Sequence, residues 1–125
     1  MVKSITRDEL MQMVKSGKKF KLVDALPRES YAKEHIQTAI SLPVDEIEKE
    51  AAKVLKKEDL IITYCGSFEC PVSTKAAEKL ISLGYQNVLD YKGGLKDYKE
   101  AGLPLEGSLY GAKTVKSKSD CGCGN

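Results

Sequence analysis

A chain of 125 residues that is 42% hydrophobic and 30% charged has the size and composition of one globular domain, which excludes a wholly disordered protein. Its net charge of +2 arises in the last 18 residues, because residues 1–107 carry 17 basic and 17 acidic side chains. A neutral body gives no electrostatic reason to bind nucleic acid or a membrane, and no apolar run approaches the roughly 20 residues that span a bilayer.

Helix and strand signals alternate along the chain. Cap and turn residues, or apolar residues at helical spacing, indicate five helices, and short apolar runs indicate four strands. In chain order these are a helix over 6–17, a strand over 20–25, a short helix over 28–33, a strand over 39–42, a helix over 47–55, a strand over 60–64, a helix over 73–84, a strand over 87–91 and a short helix over 94–102. Such alternation predicts a parallel sheet with helices on both faces.

The predicted domain covers residues 1–107. Beyond it, residues 108–125 are rich in Gly, Ser and Lys and show no apolar periodicity. We expect them to form a flexible C-terminal tail that carries a Cys-Gly-Cys element.

The four cysteines fall in two close pairs, Cys65/Cys70 and Cys121/Cys123. Close pairs in a chain large enough for a hydrophobic core are typical of reactive thiols or metal ligands in a reducing compartment. The N-terminal residues show no apolar stretch of the kind that marks a secretory signal. We therefore expect a cytoplasmic protein.

Cys65 directly follows the most apolar predicted strand, and a short loop leads from it to Cys70 and Pro71. Ligands of parallel sheets bind at the carboxyl ends of the strands. A strand, a tight loop and a helix N-terminus together direct backbone amides and a partial positive charge at an anion. Such a cradle predicts a lowered pKa for the Cys65 thiol. The alternative is that Cys65 is a small buried core residue.

Four segments of the sequence, in order and spacing, resemble the rhodanese (sulfurtransferase) family. They are Leu22-Val23-Asp24, the segment 35–43 (HIQTAISLP), Tyr64-Cys65 with the helix and turn of 76–88, and the segment 93–104 (GGLKDYKEAGLP). The resemblance covers residues 4–106. It implies an α/β fold, a single rhodanese-like domain whose central parallel five-stranded sheet has helices on both faces, and a persulfide-carrying nucleophile at Cys65.

Departures from the family pattern concern the sulfur donor. An Arg or Lys often stands five residues after the cysteine and favours an anionic donor, whereas this chain has Cys70 there. Glu69 would further oppose an anionic donor if it faced the pocket, although it is equally compatible with a solvent-exposed position. These residues predict weak use of thiosulfate.

The implied activity is that of a sulfurtransferase. The Cys65 thiolate takes sulfane sulfur from a small-molecule donor, thiosulfate or a persulfide, and passes it to a thiol, a thiol protein or cyanide. The transfer requires no metal and no organic cofactor. The active-site loop that lines the pocket is expected to consist of Gly66, Ser67, Phe68, Glu69 and Cys70.

Three further residues have two interpretations each. Cys70 either attacks the Cys65 persulfide or merely fills the position of the missing basic residue. Asp24 either holds the loop by hydrogen bonds or is a simple turn residue. His35 is either the base of a Cys–His dyad or a structural residue, and the structural role is expected because a cradled thiolate needs no general base.

Other classes of protein compete with this interpretation. A cysteine phosphatase or arsenate reductase needs an Arg six residues after the cysteine, where this chain has Pro71. A thiol–disulfide oxidoreductase that uses Cys65 and Cys70 and a non-catalytic rhodanese-like binding module both stay open.

The tail cysteines, Cys121 and Cys123, are too few for a closed zinc site, which needs four ligands. They are candidates for a soft-metal site with outside ligands or for a mobile dithiol that takes sulfur from Cys65. Two ordinary exposed thiols are the simplest alternative.

Overall fold

The computed structural model describes residues 2–67 and 69–108, which form seven strands and five α-helices. The strands are β1 (Lys3–Ile5), β2 (Lys21–Asp24), β3 (His35–Ile36), β4 (Ile40–Ser41), β5 (Leu60–Tyr64), β6 (Asn87–Tyr91) and β7 (Leu105–Glu106). The α-helices are α1 (Arg7–Lys15), α2 (Arg28–Lys33), α3 (Ile47–Val54), α4 (Val72–Ser82) and α5 (Gly94–Glu100), and a 3-10 turn, Val44–Glu46, precedes α3.

The central sheet has five strands in the order β1-β6-β5-β2-β4, and every neighbouring pair is parallel. The run Leu60–Tyr64 is continuously apolar apart from one Thr, so β5 can be buried on both faces and takes the middle of the sheet. This architecture confirms the α/β fold and the five-stranded parallel sheet that the sequence implied.

Two hydrophobic cores, one on each face of the sheet, hold the layers together. Because successive strand residues point to opposite faces, Ile61 packs with Ala76 and Leu80 of α4, whereas Ile62 packs with residues of α1 and α5 such as Leu10. Within the described part of the chain, no helix has the length and apolarity needed to cross a membrane.

Short elements escaped the sequence prediction. The edge strand β1 has three residues and pairs with Leu89–Tyr91, and β3 and β7 form a two-residue antiparallel ladder. Segments this short carry no periodic signal, because their pairing depends on residues far away in the chain. The structure describes the chain only as far as Ser108, so the boundary near Gly107 and the flexible tail stay predictions.

Candidate active site

Cys65 lies at the carboxyl edge of the sheet, directly after β5, and is fully buried. The first turn of α5 holds the backbone at this point. Leu95 N donates to the Cys65 carbonyl oxygen at 2.9 Å, and Lys96 N donates to the Gly66 carbonyl oxygen at 2.9 Å. The carboxyl end of β5 is therefore hydrogen-bonded to the start of α5, which lies some thirty residues later in the sequence.

The loop after Cys65 folds back over it. Cys70 N donates to the Ser67 carbonyl oxygen at 3.1 Å, which closes a turn. The Cys65 thiol in turn donates to the Cys70 carbonyl oxygen at 3.4 Å. Thr63 of β5 secures the other end of the loop, since its hydroxyl donates to the Ser73 carbonyl oxygen at 3.0 Å. The structure thus brings Cys65 and Cys70 together, with Cys70 on the partly exposed side.

The two thiols differ in acidity, and the prediction of a lowered pKa for Cys65 is wrong. Burial raises the pKa of Cys65, and the neighbouring Cys70 side chain raises it further. Burial also opposes ionisation of Cys70, but the Cys65 side chain and the nearby backbone amides of Gly66 and Val72 outweigh it and lower the Cys70 pKa. Ser73 in the first turn of α4 does act to lower the Cys65 pKa, as expected of a helix N-terminus, but burial and the Cys70 side chain outweigh it.

A cluster of polar side chains beside the cysteines was not identified from the sequence. The Thr74 hydroxyl donates to Asp90 Oδ2 at 2.6 Å, and Lys92 Nζ donates to Thr74 Oγ1 at 2.7 Å. Asp90 is fully buried, and its carboxylate lies 3.7 Å from the Lys92 ammonium. Electrostatic repulsion from this carboxylate acts to raise the pKa of Cys70. Asp90 and Lys92 reach the loop only because β6 pairs with β5. The sequence therefore gave no indication of this cluster beyond a Thr in the first turn of a predicted helix.

Three polar side-chain atoms are buried without a hydrogen-bond partner in residues 2–67 and 69–108, and two of them lie beside the cysteines. These two are Asp90 Oδ1 and Ser73 Oγ, and the latter faces the Cys65 sulfur without reaching hydrogen-bond geometry. Buried polar groups are nearly always paired, so these atoms are available to a group that enters the site.

Asp24 lies at the same edge of the sheet, and its hydrogen bonds to described residues go to partners outside the loop. Its Oδ1 accepts from Leu26 N at 2.9 Å, and its Oδ2 accepts from the Tyr64 hydroxyl at 2.9 Å. The Tyr64 hydroxyl also accepts from Ile36 N at 2.9 Å. Burial raises the pKa of Asp24 to about 6. Asp24 therefore joins the ends of β2 and β5 to β3.

His35 contacts neither cysteine among its described interactions. Its ring stacks on Tyr31 at 3.8 Å, Nδ1 is 2.7 Å from the Tyr31 carbonyl oxygen, and Nε2 is 3.4 Å from Glu106 Oε1. These contacts attach α2 and β3 to β7, in agreement with the structural role expected of this histidine.

A cleft of about 320 Å³ adjoins the loop. Its charged side chains are three carboxylates and one ammonium group, contributed by Glu69, Asp97, Glu100 and Lys96. Glu69 is exposed and accepts a hydrogen bond from the Ser67 hydroxyl at 3.4 Å. Three of the candidate residues, Phe68, Cys121 and Cys123, lie outside the described part of the chain.

Comparisons with known proteins agree with the fold. Residues 6–101 match the family model of the rhodanese-like domain. The thiosulfate sulfurtransferase PspE of Escherichia coli is 38% identical over 76 residues, which cover 60% of this chain and 70% of PspE. The HTH-type transcriptional regulator Rv0324 of Mycobacterium tuberculosis is 31% identical over 103 residues, which cover 82% of this chain but only 44% of the regulator. The solution structure of the rhodanese-like domain of the Anabaena sp. protein Alr3790 superposes with a TM-score of 0.79 at 26% identity, covering 97% of this chain and 89% of that domain.

Proposed function

Since this chain belongs to the rhodanese-like domain family, we propose that it is a sulfurtransferase that carries sulfane sulfur as a persulfide on Cys65. The observation that carries the proposal is the position of Cys65, which directly follows the central strand beneath a loop that folds back over it. The relative PspE is a thiosulfate sulfurtransferase by name, which supports the same class of reaction.

Sulfur uptake begins with loss of the Cys65 proton. Because burial and the neighbouring Cys70 side chain raise the pKa of Cys65, this proton has to pass to solvent before the attack. The Cys65 thiolate then attacks the outer sulfur of the donor, and the donor's remaining group leaves with the electron pair of the broken S–S bond. A thiol or cyanide takes the sulfur from the persulfide in the second half of the reaction.

The charges around the loop favour a thiol-bound sulfur donor over thiosulfate. Cys70 stands where a basic residue would attract a dianion, and the adjoining cleft carries more carboxylates than ammonium groups. The buried Asp90 adds a further negative charge, which Lys92 offsets. Like charges at short range disfavour the approach of a dianion. We therefore assign a low-molecular-weight persulfide as the preferred donor and a thiol as the acceptor.

Peptide mapping by mass spectrometry tests the proposal. The full chain with Cys70→Ser is incubated with glutathione persulfide, and we expect the peptide that contains Cys65 to gain the mass of one sulfur atom. A chain with both Cys65→Ser and Cys70→Ser is the matched control and gains no sulfur on that peptide. If Cys65 takes no sulfur in the Cys70→Ser chain, the proposal is wrong and a non-catalytic binding module becomes the better interpretation.

A further inference from the structure

We propose that Cys70 resolves the Cys65 persulfide: it attacks the Cys65 sulfur, closes a Cys65–Cys70 disulfide and releases the carried sulfur as sulfide. This inference rests on the proposed function, because it requires a persulfide on Cys65. It adds a second catalytic residue and a product, sulfide, that simple transfer to an external acceptor does not form.

The loop geometry places the attacking side chain next to its target. The turn from Ser67 to Cys70 folds the chain back, with Cys70 N bonded to the Ser67 carbonyl oxygen at 3.1 Å. The Cys65 Sγ atom lies 3.4 Å from the Cys70 carbonyl oxygen and interacts with the Cys70 side chain. The two side chains are therefore neighbours, and the inner sulfur of a Cys65 persulfide is the atom that Cys70 attacks to form a disulfide.

The difference in exposure of the two cysteines favours the intramolecular step. Cys65 has no exposed surface, whereas Cys70 is partly exposed. The loop hinders the approach of a bulky external thiol to the Cys65 sulfur but does not hinder Cys70, which belongs to the loop. Cys70 is already in contact, and a group held in contact competes at a very high effective concentration.

The chemistry balances without an added oxidant. The Cys70 sulfur forms a bond to Cys65 Sγ, the bond between the two persulfide sulfurs breaks, and the outer sulfur leaves as hydrosulfide with the electron pair. The Cys70 proton leaves with the product. Hydrosulfide is a weaker base than an alkyl thiolate, which makes it the better leaving group.

An external thiol returns the protein to its starting state. Two thiol molecules reduce the Cys65–Cys70 disulfide and are themselves oxidised to one external disulfide. The partly exposed Cys70 sulfur is the accessible point of attack for the first of them. The class of partner that this step requires is therefore a reducing thiol or dithiol, which acts on Cys70 and not on the buried persulfide.

A single-turnover experiment tests the inference. The reduced full chain is incubated with thiosulfate at high concentration and freed of excess reagent, with no added thiol. Sulfide is then measured by bromobimane trapping, and the cysteine state by peptide mapping. We expect the native chain to release sulfide equimolar with a disulfide between Cys65 and Cys70. The Cys70→Ser chain should keep its extra sulfur on Cys65 and release no sulfide.

A Ser82→Ala variant serves as the control, since Ser82 is exposed at the far end of α4 and the change keeps both thiols and the loop; it should release sulfide as the native chain does. The inference is overturned if the native chain retains its persulfide as stably as the Cys70→Ser chain does. It is also overturned if the disulfide maps to Cys121 or Cys123. Failure of the proposed function looks different, because the Cys70→Ser chain would then take up no sulfur at all.

Discussion

Gly94 lies against the backbone of Cys65 with no room for a side chain. Its φ of +62° belongs to the left-handed region, and a Cβ at this position would overlap the Cys65 carbonyl oxygen. The same oxygen accepts the Leu95 amide at 2.9 Å. The position of Cys65 therefore depends on the absence of a side chain at Gly94, the first residue of α5.

Replacement of this glycine should be costly. Gly94→Ala is expected to lower the free energy of unfolding by roughly 2–4 kcal/mol, because left-handed backbone strain adds to overlap with a fixed backbone. Gly17→Ala is the matched control, since Gly17 has a φ of +76° but no atom within 4 Å of the place that a Cβ would take, and it should cost only about 1–2 kcal/mol. Urea denaturation measures both values. Equal losses would show that the close approach to Cys65 does not matter.

A positive charge in the loop should improve the use of thiosulfate. Cys70→Arg places a cation beside Cys65, and we expect the apparent KM for thiosulfate to fall roughly tenfold, which corresponds to about 1.4 kcal/mol of attraction. Cyanide-dependent formation of thiocyanate provides the measurement. Cys70→Gln, which is polar but uncharged, should leave that KM close to the native value. An unchanged KM in the Cys70→Arg chain would refute the electrostatic argument.

The stability of the protein should fall with rising pH because of Asp24. Its pKa is raised from 3.8 to about 6 by burial, so the folded state holds a proton that the unfolded state releases. The stabilisation is fully present below pH 3.8 and is lost as pH rises through about 6, which amounts to on the order of 3 kcal/mol. Urea denaturation between these pH values should show this slope in the native chain and not in Asp24→Asn. Asp45→Asn, at an exposed position, should keep the native slope.

Removal of the Lys92 ammonium should make Cys70 less acidic. Asp90 already works to raise the pKa of Cys70, and Lys92 lies 3.7 Å from its carboxylate. Lys92→Met leaves that negative charge uncompensated, so the pKa of Cys70 should rise. The rate of Cys70 alkylation by iodoacetamide as a function of pH measures the change. Lys79→Met is the control, because Lys79 lies on α4 and pairs with Glu48 of α3, and it should give the native pH profile. A native pH profile in Lys92→Met would contradict the prediction.

Transfer of sulfur to the tail cysteines stays a prediction, because Cys121 and Cys123 lie outside the described residues. A flexible chain of 18 residues has a typical end-to-end distance on the order of 20–25 Å, compared with a radius of about 14 Å for a domain of this size. In a Cys70→Ser background, the Cys65 persulfide should decay faster in the full chain than in a chain that ends at Gly107. Equal decay at low protein concentration would exclude the transfer.

The local sequence was sufficient to predict the longer strands and helices of the fold. The strands over 60–64 and 87–91 were predicted residue for residue. The first is an almost continuous apolar run, which favours a strand buried on both faces of a sheet. The segment Thr6-Arg7-Asp8-Glu9 has the sequence pattern of a capping box, and the structure contains both of its hydrogen bonds. Motif order and spacing were enough to identify the family.

Only the tertiary structure decided the properties that depend on burial and on distant partners. Full burial of Cys65 reversed the expected direction of its pKa. Asp24 bonds to Tyr64, forty positions away, and not to the loop. Lys92 reaches Thr74 only because β6 pairs with the strand that leads into the loop. Desolvation and hydrogen bonding depend on neighbours in space and not on neighbours in the chain. The sequence therefore identifies the groups that carry charge or sulfur, and the fold determines which of them are in contact and how strongly each is ionised.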